Sequence, residues 1–109
     1  MKIVKRDLSC YRGQTFSQNI YFSTGGKPYS LDGYVAKSQI RPSENSPTLT
    51  AEFVCTVDAE NGKLNLYLPS EVTATMHPST YVWDLKVTKG ADVDYLVAGK
   101  FTVSGRVTE

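Results

Sequence analysis

The chain has 109 residues, 40% of them hydrophobic and 21% charged, with twelve Lys and Arg against eleven Asp and Glu for a formal net charge of +1. That length allows one domain, spanning 1–109, and the composition excludes a disordered tail or a membrane protein. Near-neutrality excludes a dedicated nucleic-acid binder, which needs a strong basic field.

In chain order, Met1-Lys2-Ile3-Val4-Lys5-Arg6-Asp7 returns to charge after two apolar residues, so it lacks the apolar core of a signal peptide. No run approaches the ~18 apolar residues of a membrane span. The expectation is a soluble protein made in the cytoplasm. Lys2, Lys5, Arg6 and Arg12 cluster at the start, and Lys100 and Arg106 lie near the end. They are expected as solvated edge charges or as contacts to another protein.

Phe16, Ile20 and Phe22 mark the first inward-facing strand run. Gly25-Gly26-Lys27-Pro28 then breaks the chain, since Pro28 cannot donate to a ladder. Tyr34, Ala36, Ser38 and Ile40 form the next run, closed by the polar loop Pro42–Pro47. Leu49, Ala51, Phe53, Cys55 and Val57 alternate inward, as do Leu64, Leu66 and Leu68. Asn61-Gly62 between them predicts a type I′ turn joining 48–57 and 63–68 as a hairpin.

Residues 70–76 lack alternation and predict a short helical turn capped by Ser70, with Val72 and Met76 as anchors. Its two threonines are weak helix formers, so packing must hold it. Tyr81, Trp83, Leu85 and Val87 then face inward against Val82, Asp84 and Lys86. A last run takes Tyr95, Val97, Gly99, Phe101 and Val103 inward after a break at Gly90-Ala91-Asp92. About seven short strands with a turn signal between each predict an all-β antiparallel sandwich with one helical turn near 70–76.

Tests for chemistry find little. Cys10 and Cys55, 45 residues apart, form no C-x-x-C pair, and the single histidine cannot complete a zinc site with them. Two reduced thiols are the favoured state, and the sequence leaves a bridge open. His77 has no nucleophile motif to serve. Asp58, Glu60 and Asn61-Gly62 fail the calcium-loop pattern at its third position, and Pro69 stands where the final glutamate belongs. Asp92 and Asp94 read as a solvated turn, and Asp84 has no evident partner for glycosidase work. Trp83 falls on the inward register, against a sugar-binding platform. No catalytic residue, metal or cofactor is expected.

What remains is surface. Tyr21, Val35, Val54, Tyr67 and Val82 take the outward register and are candidate protein contacts, as are Lys2, Lys5, Arg6 and Arg106 in the termini.

Several segments carry a resemblance: Gly13-Gln14-Thr15-Phe16, Pro28–Ala36, Gln39–Ser43, Asn61-Gly62-Lys63-Leu64, Leu66–Pro69, Tyr81–Leu85, Gly99–Val103 and Val107-Thr108. This succession resembles small virion structural proteins of tailed bacteriophages and is similar to the N-terminal domain of phage baseplate upper proteins. The resemblance implies an immunoglobulin-like sandwich that is a permanent part of a virus particle, joining fibre to tail or baseplate, or decorating a capsid. It brings no catalytic residues and no cofactor. The 109 residues show no coiled coil or receptor-binding part, which favours an adaptor or decoration role over host binding. The implied partners are other virion proteins and symmetric copies of the chain itself, without nucleic acid or membrane. A carbohydrate-binding β-sandwich module is the alternative from another class.

Overall fold

The computed structural model describes residues 4–24, 26–28 and 30–107. Lys2 lies outside them. Ten strands and one short helix follow in order: β1 (Val4–Lys5), β2 (Leu8–Tyr11), β3 (Phe16–Tyr21), β4 (Ser23–Thr24), β5 (Lys27–Pro28), β6 (Val35–Arg41), β7 (Ala51–Asp58), β8 (Lys63–Leu68), α1 (Ser70–Thr73), β9 (Ser79–Lys89) and β10 (Asp92–Ser104). Eight of the strands form one sheet in the order β1-β10-β9-β6-β7-β8-β3, with β2 also on β10, while β4 and β5 pair antiparallel as a small separate sheet.

The all-β expectation holds. A single curled sheet makes a half-barrel. The fold-over runs along β7: its Ala51–Phe53 end pairs with β6, and its Val54–Asp58 end pairs with β8. One strand thus serves both halves, which is how a sheet turns a corner without breaking its ladder. The two halves meet over an aromatic cluster. Phe16 of β3 lies 5.3 Å from Phe101 of β10 and 5.6 Å from Phe53 of β7, and Phe53 packs edge-on at 5.9 Å from Trp83. Such tilted and edge-to-face pairs suit the ring quadrupoles. Leu64, Leu66 and Leu68, and Tyr81, Trp83, Leu85 and Val87, are all buried as their alternation requires. Each of these leucines contributes roughly 1.5–3 kcal/mol by leaving water.

The antiparallel expectation fails at the N-terminus, where β1 and β2 both run parallel to β10. Parallel pairing needs a long crossover, and here almost the whole chain supplies it. Between the two strands the ladder is rebuilt from other groups. The Arg6 amide donates to the Ala98 carbonyl (2.9 Å), the Lys100 amide donates to Asp7 Oδ1 (3.0 Å), and Trp83 Nε1 donates to the Arg6 carbonyl (3.0 Å). The Arg6 carbonyl occupies the space where residue 99 would carry a side chain. A Cβ at Gly99 would overlap that oxygen, lie 2.6 Å from the Arg6 carbonyl carbon, and lie 3.0 Å from Asp7 Oδ1.

Four further expectations are corrected. Asn61-Gly62 is not a type I′ turn, because no non-glycine residue described has a positive φ, so of the two only Gly62 does, at 58°. With Asp58 paired to Lys63, the loop has four residues, and the Gly62 amide reaches back to the Ala59 carbonyl as in a type I turn with glycine last. Ser70 is the first helical residue rather than the cap; Pro69 stands at the cap without a side-chain bond. Met76 is buried and Val72 partly so, but Thr73 is the fully buried residue, its hydroxyl donating to the Gln14 carbonyl at 2.7 Å. Tyr95 faces outward because Tyr95 pairs with Lys86 and Val97 with Leu85, leaving Leu96 as an extra, buried residue in a bulge. Leu49 precedes β7 and is exposed, so the inward run begins only at Ala51.

Candidate functional site

The outer face of β10, β9 and β6 carries the most concentrated charge. Its side chains form a grid set by the ladder registers. One row runs Tyr95, Lys86, Lys37; the next runs Lys5, Ala98, Asp84, Gln39; the third runs Lys100, Val82, Arg41. Curvature of the sheet makes this face a groove of about 740 Å3, with Ser43 and Glu44 of the β6–β7 loop on its rim. Five cations therefore line it against two carboxylates, Asp84 and Glu44.

Local chemistry fixes several of these groups. The Arg41 guanidinium is held by two neutral acceptors, Gln39 Oε1 at 3.0 Å and the Ser46 carbonyl at 3.3 Å, so it is oriented while keeping its charge. Lys37 and Lys86 are direct cross-strand partners. Like charges placed directly opposite are destabilising in a sheet. Asp84 sits between the cationic rows. Burial pushes its carboxyl above the usual value, while Arg41 and Lys86 pull it down. Behind the face, the buried Ser38 hydroxyl donates to the Asp84 carbonyl at 2.6 Å. The lining presents cationic hydrogen-bond donors to the groove.

The contact residues expected from sequence do not gather in one place. Lys5 and Val82 come together in the groove. Val54 and Tyr67 are direct partners on the outer face of β7 and β8, 55% and 37% exposed, beside an Asn65 amide that donates to Ser17 Oγ and Asn19 Oδ1. Tyr21 and Val35, both well exposed, stand at strand ends away from these pairs. The Arg6 side chain is exposed while its carbonyl faces inward. Arg106 donates to the Arg12 carbonyl at 3.3 Å, and Arg12 Nε to the Ala74 carbonyl at 2.9 Å. These two arginines staple the β2–β3 turn and the helix end. The N-terminal and C-terminal charge clusters thus divide, Lys5 and Lys100 going to the groove and Arg12 and Arg106 to the staple.

Sequence reading missed Lys37, Arg41 and Lys86 as site residues. Each lies on the outward register of its strand, which was a legible signal. Their meeting depends on β9 lying between β6 and β10, which alternation does not encode.

Cys10 and Cys55 are free thiols. Burial raises both, and Cys55 is pushed up to about 11, with the Glu52 charge adding to burial and a backbone hydrogen bond at Ser38 opposing it. His77 is exposed and uses its carbonyl to accept the Tyr81 hydroxyl at 2.5 Å. Among the described residues, no three His, Cys, Asp or Glu side chains gather as a metal site would require, and no helix is long and apolar enough to cross a membrane. Trp83 is 3% exposed with its N–H already bonded, so it offers no face to a sugar ring.

No protein-family model matches the sequence, and no curated protein matches it. Solved structures do. The N-terminal domain of phage TP901-1 ORF48 aligns with a TM-score of 0.55 at 14% identity, covering 89% of this chain and 83% of that one. CopC from Methylosinus trichosporium OB3b aligns with a TM-score of 0.53 at 15% identity, covering 94% and 88%. At such identity the likeness establishes a shared fold, and a fold alone does not carry a function.

Proposed function

We propose that this chain is a non-enzymatic structural protein of a tailed-phage virion, joining or braced against other virion proteins as a tail, baseplate or fibre adaptor or as a capsid decoration. The observation that carries the reading is the shared fold with the N-terminal domain of a phage protein over 89% of the chain. The sequence resemblance to phage virion proteins points the same way. The folded-over sheet is compatible with the immunoglobulin-like sandwich which that resemblance implies.

The surface supplies what such a role needs. Among the described residues β3 pairs only with β8, so its second edge leaves backbone donors and acceptors available to an added strand. Val54 and Tyr67 add a small apolar contact, and the groove adds charge. Partners are other virion proteins, and copies of the chain follow the symmetry of the particle. The glycan-binding alternative loses its platform with Trp83 buried.

Mass spectrometry of purified particles from a phage encoding this chain tests the reading. The protein should appear at a copy number that is a multiple of a particle symmetry. Its absence from washed, intact particles would remove the proposal.

A further inference from the structure

We propose that the groove on the outer face of β10, β9 and β6 is a docking site for an acidic, extended segment of a partner protein. The proposal concerns the surface of the isolated domain, so it stands or falls apart from virion membership.

Three observations converge. First, charge is concentrated there. Five of the chain's twelve Lys and Arg line the groove with only two carboxylates, although the whole protein is at +1. Second, the site is held in a state that folding alone disfavours. Lys37 and Lys86 face each other across the ladder, and Arg41 is fixed by neutral acceptors rather than by a carboxylate. An arriving anion relieves the first and uses the preorganised second. Third, the face is patterned rather than uniform. Asp84 lies in the middle of its floor, Val82 and Ala98 intervene between the cations, and Tyr95 stands at the end of the lysine row. A polyphosphate chain would have to run its continuous negative charge over Asp84. A peptide can place carboxylates over the lysine row and Arg41, put a backbone or side-chain donor over Asp84, and rest apolar groups on Val82 and Tyr95. Mixed contacts of this kind, with Tyr and Arg among them, typify protein interfaces.

The test is fluorescence anisotropy with a fluorescein-labelled peptide of alternating Glu and Thr, titrated at low ionic strength with the full chain. The same peptide with Gln replacing Glu and an oligothymidylate serve as comparators. The acidic peptide should bind, weaken as salt rises, and outcompete both comparators. The double variant K37Q/K86Q should weaken binding about twofold to thirtyfold, given ~0.2–1 kcal/mol for each of two exposed ion pairs. K27Q/K63Q, away from the groove, should bind as the native chain does. In the free protein K37Q/K86Q should melt close to native, because it removes the Lys37–Lys86 repulsion together with the attraction of Lys86 to Asp84. Absence of peptide binding, equal effects of the two double variants, or preference for the oligonucleotide would overturn the proposal. So would self-association that K37Q/K86Q abolishes, since the occupant would then be a second copy.

Discussion

Replacing Gly99 by alanine tests the N-terminal closure directly, because the sign of its effect depends on it. In an ordinary strand a Gly→Ala change stabilises by roughly 0.5–1 kcal/mol, since glycine loses more backbone entropy on folding. Here the new Cβ would overlap the Arg6 carbonyl, which is backbone and cannot turn aside. Relief requires Arg6 and Asp7 to lift from β10, breaking the bonds from Arg6 N to Ala98 O, from Lys100 N to Asp7 Oδ1 and from Trp83 Nε1 to Arg6 O. Each bond contributes about 1 kcal/mol net, the carboxylate one about 1.5–3, and an indole N–H left dry costs about 1–3. Set against the entropic gain, the expected loss is about 3–6 kcal/mol, a large part of the ~5–15 kcal/mol that holds a small domain together. Urea unfolding followed by the emission of Trp83, the sole tryptophan, measures it. Hydrogen exchange at the Lys100 amide reports the local step. If G99A is as stable as the native chain or more so, with unchanged Trp83 emission and Lys100 protection, the seating of Arg6 over Gly99 is refuted.

Two further outcomes follow from the hairpin and the thiols. G62A should cost about 1–2 kcal/mol, since Gly62 adopts a positive φ of 58°; N61A should cost only a few tenths, the value of an exposed bond to Asp58 Oδ2. Equal costs in chemical denaturation would restore the type I′ reading in which both positions need positive φ. Cys55 holds its proton up to about pH 11 when folded and to about 9.0 when unfolded, so its contribution is intact below pH 9.0 and is lost as pH rises toward 11. Stability should fall across that window more steeply in the native chain than in C55A, and iodoacetamide should modify Cys55 at pH 8 only after denaturation. Rapid modification of the folded chain at pH 8 would contradict the raised pKa of this half-buried thiol.

The core was readable wherever one residue in two must be buried. Leu64, Leu66 and Leu68 and the Tyr81–Val87 run declare their inward faces because a one-residue slip would expose them all. The Tyr95–Val103 run misled at its first member. A bulge inserts Leu96 without disturbing the apolar look of the sequence, and the face of Tyr95 flips. Gly99 looked like a gap in the same alternation, yet it is the position that admits the Arg6 carbonyl. Its meaning depends on a strand more than ninety residues earlier in the chain, and no local pattern holds that information. The groove was half legible for the same reason: outward register placed Lys37, Arg41, Lys86 and Lys100 on the surface, but only strand order assembled them.

That order also couples the groove to the closure beneath it. Lys5 pairs with Ala98, and Lys100 has its amide held by Asp7, so two of the five groove cations are positioned by the segment that seals Trp83. Lys37, Lys86 and Arg41 stand on β6 and β9 and are positioned without it. Lifting the N-terminal segment should therefore weaken anion binding only in part, through Lys5 and Lys100, while K37Q/K86Q weakens binding with little change in stability. The two perturbations separate the groove's charge from its scaffold. A binding defect in G99A as complete as the folding defect would mean instead that the groove exists only when the N-terminal strand is seated.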